Sequence, residues 1–351
     1  MSERLDSAVQ LAGNLARMSW YTGLNWIMQR RARSLAAPPA FEPTLPVPSR
    51  NELLADLRSL LRSDAEAVRE GVMPAGHEEA FRPLEHLRRL RGMFEDLPSA
   101  TERRVDRDAS SVKELASGDL EDLPDYFKQD FHFQTGGYLS EDSAKLYDIQ
   151  VETLFHGSAA AMRRRAMVPL ARFMQGRDQR DVSFLDVACG TGRLLKDIRR
   201  IYPAMRLTGL DLSPSYLEEA QRYFGNLRRA RWLAGNAESI PLGDGSQDVV
   251  VSVFLFHELP PEVRRTVAEE VNRVLKPGGL FIFIDSLQMG DRPGWDGLLE
   301  GFPVRFHEPY YRGYSIDDLE AVFTGVGLRV EAEQIAFLSK MIVCRKDALP
   351  G

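Results

Sequence analysis

The chain has 351 residues, 44% of them hydrophobic and 27% charged, and carries a formal net charge of −6 at pH 7. That length and balance describe a globular protein of about two domains with a sizeable core, and the acidic balance speaks against sequence-independent nucleic-acid binding, which needs a basic face to neutralise phosphates. Of its two cysteines, Cys189 and Cys344, one lies inside a glycine-rich stretch, which argues against a disulfide framework and for a reducing compartment, the cytoplasm.

The first 30 residues lack a basic start followed by a continuous apolar stretch, so no signal peptide is expected. No run reaches the roughly 18 to 20 apolar residues of a membrane span. Between Arg17 and Ser34, Trp20, Tyr21, Leu24, Trp26, Ile27 and Met28 precede Arg30, Arg31 and Arg33 in an amphipathic pattern. Aromatic anchors with a basic end suit a helix lying on an anionic bilayer, a peripheral membrane contact, and a helix packed on its own protein shows the same pattern. The proline-rich stretch Ala37 to Ser49 reads as an extended linker. Leu53, Leu54, Leu57, Leu60 and Leu61 then recur at helical spacing, with Ser49 or Asn51 as a cap. A second amphipathic helix is expected from about Glu79 to Phe94, using Leu84, Leu87, Leu90 and Met93 as its stripe. After a polar segment, Thr101 to Asp122, come an aromatic loop and further helices, so the first 180 residues read as mainly helical.

From Val182 the pattern changes. Val182 to Val187, Arg206 to Leu210, Arg231 to Ala234, Asp248 to Phe254 and Leu280 to Asp285 read as strands, and Arg193 to Ile201, Pro214 to Phe224 and Pro261 to Leu275 as the helices between them. Strands and helices alternating at this spacing make a parallel sheet covered on both faces. The stretch from Leu328 to Lys346 reads as two more strands joined by a short turn. The expected division is an N-terminal helical region over 1–130, a helical lid or connector over 131–180 and a catalytic domain over 181–351.

The first of these strands runs into FLDVACGTGRLL, residues 184–195. A glycine-rich bend between a strand and a helix lets backbone approach a ligand closely and aims helix N–H groups at it. Dinucleotide-binding bends add a third glycine three residues after the second, and here that place holds Leu195. The bend instead begins with an acid, Asp186, four residues before Gly190. A carboxylate there suits an amino group or a sulfonium better than a pyrophosphate, which favours S-adenosylmethionine over NAD. Asp211 ends the second strand about 20 residues past the glycines, where a carboxylate accepts ribose hydroxyls. Asn236 and Ala237 follow the third strand, where an amide and a backbone N–H read the edge of an adenine. Each residue also has a plainer reading: Gly190 and Gly192 as a tight turn, Asp211 as a cap for the helix after Ser213, Asn236 as turn chemistry, and Cys189 as a small filler.

Residues from about 181 to 286 resemble the class I S-adenosylmethionine-dependent methyltransferases. DVACGTG resembles their first motif, GLDLS the second-strand acid and LKPGGLFIFID the fifth-strand region. The stretch from Ile240 through Gly279 is most similar to the ubiquinone/menaquinone-biosynthesis-like small-molecule enzymes. The resemblance implies an α/β, Rossmann-like seven-stranded sheet with its last strand antiparallel, and the cofactor over the carboxyl ends of the strands. It counts Ala188, Leu212 and Phe254 with Asp186, Gly190, Gly192, Asp211, Asn236 and Ala237 as cofactor-binding. Ala188 stands where that family often has glycine, and Asn236 where it often has aspartate.

Methyl transfer requires in-line alignment and exclusion of water, and a base only where the acceptor must lose a proton. His257 and Glu258, just after the fourth strand, are the candidates, and His257 also reads as a cap of the helix that follows. Segments at the places of His132 to Asp148 and Val304 to Tyr314 commonly form the lid in the enzymes this chain resembles. Tyr138 is the candidate from the first of them, and Gly136 and Gly137 are candidate hinges. Aromatic rings there suit an apolar or cyclic acceptor. No metal site is expected. Three readings remain open: methyl transfer to a small hydrophobic acceptor with the N-terminal helices covering the pocket or mediating self-association, an NAD-dependent oxidoreductase, and a catalytically idle cofactor-binding scaffold for a partner protein or membrane.

Overall fold

The computed structural model describes residues 2–37, 40–76, 83–115, 120–121, 123–227 and 230–347, and the chain divides into two compact units. The first comprises residues 1–70, 75–161 and 293–309, and the second residues 71–74, 162–292 and 310–351.

The first unit is helical. Its long helices are Ser2–Leu35, Arg50–Arg69, Pro83–Asp106 and Glu141–Leu154. Ser49 caps the second: its hydroxyl accepts from the Glu52 N–H, and the Glu52 carboxylate accepts from the Ser49 N–H at 2.7 Å, a reciprocal capping box. Tyr21, Leu24, Leu90, Met93 and Ile149 form one core cluster, so the aromatic pattern of the first helix divides. Tyr21 and Leu24 pack inside the unit while Trp20, Trp26 and Ile27 stay exposed. The stripe expected on the third helix also divides, for Leu90 and Met93 are buried and Leu84 and Leu87 exposed. Residues 79–82, expected to open that helix, and residues 116–119 and 122 of the polar segment lie outside the described residues. The described start of the polar segment continues the helix to Asp106. Asp64 is fully buried, and the side-chain amides of Gln10 and Asn14 donate to it at 3.1 and 3.0 Å, which satisfies a carboxylate that would otherwise be expensive to bury. Pro38 and Pro39 of the proline-rich segment lie outside the described residues, and its later part is tied down within this unit: the Thr44 and Leu45 N–H groups donate to Glu300, and Pro46 O accepts from the Gly297 N–H. No helix among the described residues is long and apolar enough to cross a membrane.

The second unit is built on a seven-stranded sheet: β1 Ser183–Val187, β2 Arg206–Asp211, β3 Arg231–Ala234, β4 Gln247–Val253, β5 Leu275–Ser286, β6 Leu328–Ala336 and β7 Ser339–Lys346. The order is β3-β2-β1-β4-β5-β7-β6. Every pairing from β3 to β5 is parallel, and β7 is antiparallel to both of its neighbours. The central strands carry continuous apolar runs because both faces are covered, and Phe184, Leu185 and Val187 are fully buried. β6 at one edge alternates Arg329, Glu331 and Glu333, charges that blunt an open edge. β5 begins earlier than its apolar run, at Leu275, across an irregularity where Gln247 pairs with Leu275 and Val249 with Leu280.

Candidate active site in the sheet unit

β1 ends in a bend that leads into the helix Arg193–Ile201. Ala188, Gly190 and Gly192 have φ of 57°, 53° and 70°. The two glycines serve different purposes. A Cβ on Gly192 would stand 3.0 Å from both Ala220 and the Trp232 ring, so this glycine lets the bend pack against its own unit. A Cβ on Gly190 would meet nothing within 4 Å, so that backbone faces open space. At the adjacent end of β4, Phe254 also has a φ of 57°, while its N–H donates to Ile284 O at 2.8 Å. Two non-glycine residues in the left-handed region at neighbouring strand ends mark held strain of the kind found at functional sites.

Two carboxylates flank the bend. Asp186 is 3% exposed, and burial drives its pKa up to about 8, with nearby Arg163 opposing and Asp211 adding to the rise. Asp211 Oδ2 accepts from the Gly190 N–H at 2.8 Å and Oδ1 from the Ser213 N–H at 2.9 Å. Burial raises Asp211 to about 6, against the pull of these N–H donors. Ser213 itself caps the helix Pro214–Phe224 through its hydroxyl, which leaves Asp211 to brace the bend. Cys189 lies beneath, its thiol pushed well above the ordinary value by burial and by both carboxylates, which makes it inert filler. Leu212 is half-buried beside Asp211. Asn236 engages its own turn: its Oδ1 accepts from the Glu238 N–H at 2.9 Å and its Nδ2 donates to the Glu238 carboxylate at 3.0 Å. Asn236 and Ala237 are both half-buried.

After β4 the short turn Phe256–Glu258 carries His257, 6% exposed. His257 Nδ1 lies 2.5 Å from Asp285 Oδ1, at the end of β5, and Asp285 Oδ2 accepts from the Phe256 N–H at 2.7 Å. The imidazole is flanked edge-on by Tyr311 and Tyr314, with ring centroids at 6.3 and 6.1 Å. Those rings are fixed in turn, because the Tyr311 hydroxyl pairs with the Ser286 hydroxyl at 2.9 Å and the Tyr314 hydroxyl donates to Ser286 O at 2.5 Å. Glu258 is half-buried, with Oε1 3.8 Å from His257 Nε2.

A methyltransferase-domain family model matches residues 184–279. The chain is 31% identical over 174 residues to the demethylmenaquinone methyltransferase of Listeria welshimeri, a match covering 46% of this chain and 72% of that protein. The chain belongs to the class I S-adenosylmethionine-dependent methyltransferases, of the ubiquinone/menaquinone-biosynthesis-like type. It is also 31% identical over 165 residues to the ubiquinone/menaquinone biosynthesis C-methyltransferase UbiE of Methylobacterium nodulans, covering 46% of this chain and 63% of that one. A solved S-adenosylmethionine-dependent methyltransferase from Aquifex aeolicus is 20% identical over 51% of this chain and 88% of its own, with a TM-score of 0.39. The chain spans about half the length of other curated relatives it matches.

The methyltransferase sheet gathers Asp186, Ala188, Gly190, Gly192, Asp211, Leu212, Asn236, Ala237, Phe254, His257 and Glu258 at the carboxyl ends of β1 to β4. Tyr138 belongs to the helical unit, where its ring stacks on Phe131 at 5.6 Å and meets Tyr147 edge-on at 6.0 Å. Gly137, expected as a hinge, has a packing reason of its own, for a Cβ there would stand 2.7 Å from Gln129 O. Three residues escaped the sequence reading. Asp285 had a usable signal, an acid closing an apolar strand as Asp186 and Asp211 do. Gly209 in β2 makes the room a third bend glycine would have made, since a Cβ there would lie 2.8 Å from Cys189 Sγ and 2.9 Å from Leu195 Cδ1. Arg264 is fully buried, donates through Nε to Phe256 O and Leu259 O at 3.1 Å each, and pairs with Asp317, thereby holding the turn that carries His257. No sequence signal marked it.

Proposed function

We propose that the protein transfers a methyl group from S-adenosylmethionine to a small, apolar or cyclic acceptor. The observation that carries this reading is the pair of carboxylates across a bend whose backbone faces open space at Gly190. An Asp186 raised to about 8 gains from a cation beside it, and the amino group and sulfonium of this cofactor supply positive charge. Asp211, braced by two N–H donors, keeps lone pairs for the ribose hydroxyls, and Asn236 and Ala237 line the next strand end toward the adenine. Ala188, Gly190, Gly192, Leu212 and Phe254 complete the cofactor surface. The cofactor contributes a methyl group already activated on a sulfonium.

The remaining chemistry falls to the chain. Asp285 accepts the Nδ1 proton of His257, which fixes the tautomer with Nε2 as the basic nitrogen and offsets the imidazolium charge that forms when Nε2 takes a proton. His257 is in this reading the general base for an acceptor hydroxyl or acidic carbon, and Glu258 stands beside it. Tyr311 and Tyr314 keep the imidazole oriented and its surroundings apolar. The names of the quinone-methylating relatives support an apolar cyclic acceptor. Isothermal titration of the full chain with S-adenosylhomocysteine and with NADH tests the reading: saturable binding of the first alone is expected, and preference for NADH overturns it.

A further inference from the structure

The helical unit holds a cavity of about 440 Å³, within the size range of small-molecule sites, about 300–1,000 Å³. Met28, Phe41, Met93, Leu97, Val151 and Leu154 give it apolar walls. Three arginines line it: Arg33 and Arg305, both exposed, and Arg104, half-buried. Among the described residues one lining carboxylate stands against them, Asp96, and that one is already engaged by Thr135 and by Arg103 at 3.9 Å. Arg104 makes no ion pair among the described residues; its guanidinium lies 5.7 Å over the Phe306 ring, and its buried Nε has no hydrogen-bond partner. Burial pulls the Arg104 pKa down from its ordinary value, the mark of a charge whose hydration is not replaced. A guanidinium stays protonated under these conditions, so what relieves it is an anion that brings its own hydrogen-bond acceptors.

We infer that this cavity is a binding site for a single amphiphilic small molecule, an aliphatic or aryl body with one carboxylate-type anionic head, the body against the apolar walls and the head on Arg104. The inference goes beyond the methyl-transfer reading and stands on the helical unit alone.

The test uses the full chain and 11-(dansylamino)undecanoic acid as a fluorescent probe. Saturable binding of one probe per chain is expected, with decanoate displacing it at least about tenfold better than decanol, the margin of a charge-assisted hydrogen bond. Arg104→Gln is expected to lower decanoate affinity by about tenfold and to erase the preference for acid over alcohol. Ala100→Trp, which fills the cavity, is expected to remove probe binding, with S-adenosylhomocysteine affinity unchanged in both variants. Unsaturable probe binding, equal displacement by decanoate and decanol, or full probe affinity in Ala100→Trp overturns the inference. The competition on the unaltered protein decides even where a variant fails to fold. Because probe binding needs neither cofactor nor turnover, its outcome is independent of whether the sheet unit transfers methyl groups.

Discussion

His257 and Asp285 share a short contact, Nδ1 to Oδ1 at 2.5 Å, between a turn after β4 and the end of β5. Both side chains are buried, and the Asp285 carboxylate is held from its other oxygen by the Phe256 N–H. A carboxylate fixed in this way sets which imidazole nitrogen carries the proton. Asp285→Asn keeps the shape but presents an amide that no longer favours a protonated Nδ1. It is expected to lower kcat by about 100-fold or more, with S-adenosylhomocysteine affinity unchanged. Steady-state kinetics on a turned-over acceptor, alongside cofactor-product titration, checks this.

Asp211 braces Gly190 and is proposed to hold the ribose. Asp211→Ala is expected to weaken cofactor affinity at least about tenfold, since it removes charge-assisted hydrogen bonds and loosens the bend. Calorimetric titration measures it, and unchanged binding removes the ribose assignment.

Asp186 and Asp211 make the cofactor-free protein pH-sensitive. Their pKa values are raised on folding to about 8 and about 6. A carboxylate raised by folding binds more protons in the folded than in the unfolded chain between its ordinary value and the raised one, so stability falls as pH rises across that window. The cofactor-free Tm is expected to decline from pH 5 to pH 8. Asp186→Asn is expected to flatten the decline most above pH 7, past the range in which Asp211 titrates. A thermal-shift series in matched ionic strength reads both slopes.

Gly209 and Gly190 separate stability from binding. Gly209→Ala places a methyl 2.8 Å from both Cys189 Sγ and the Trp232 ring and is expected to destabilise the fold by about 1–3 kcal/mol. Gly190→Ala meets no atom within 4 Å, so its stability cost is limited to the left-handed backbone, about 1–2 kcal/mol. Its methyl projects where the cofactor is proposed to lie, and a larger loss of cofactor affinity than in Gly209→Ala is expected. Denaturant unfolding and cofactor titration on both variants distinguish the two roles.

Sequence periodicity located several elements of the second unit closely. The helices Arg193–Ile201 and Pro214–Phe224 and the strand Arg231–Ala234 stand where alternation of β-branched runs and amphipathic stretches puts them, because the strand and helix periods are local and each strand is buried on both faces. The strand-end acids Asp186 and Asp211 were legible for the same reason: a charge closing an apolar run has to face a site or a partner. The sequence alone also fixed that the bend lacks a third glycine. Only the tertiary structure decided where the missing space comes from, since Gly209 of β2 lies directly against Leu195 of the helix after the bend and no spacing rule links them. It decided equally that Asp285 holds His257, that Arg264 is buried on a helix whose neighbour Arg265 is exposed, and that Tyr21 and Leu24 face a core while Trp26 does not. Local periodicity sets which residues share a face, whereas which face is covered, and by what, depends on contacts between residues far apart in the chain.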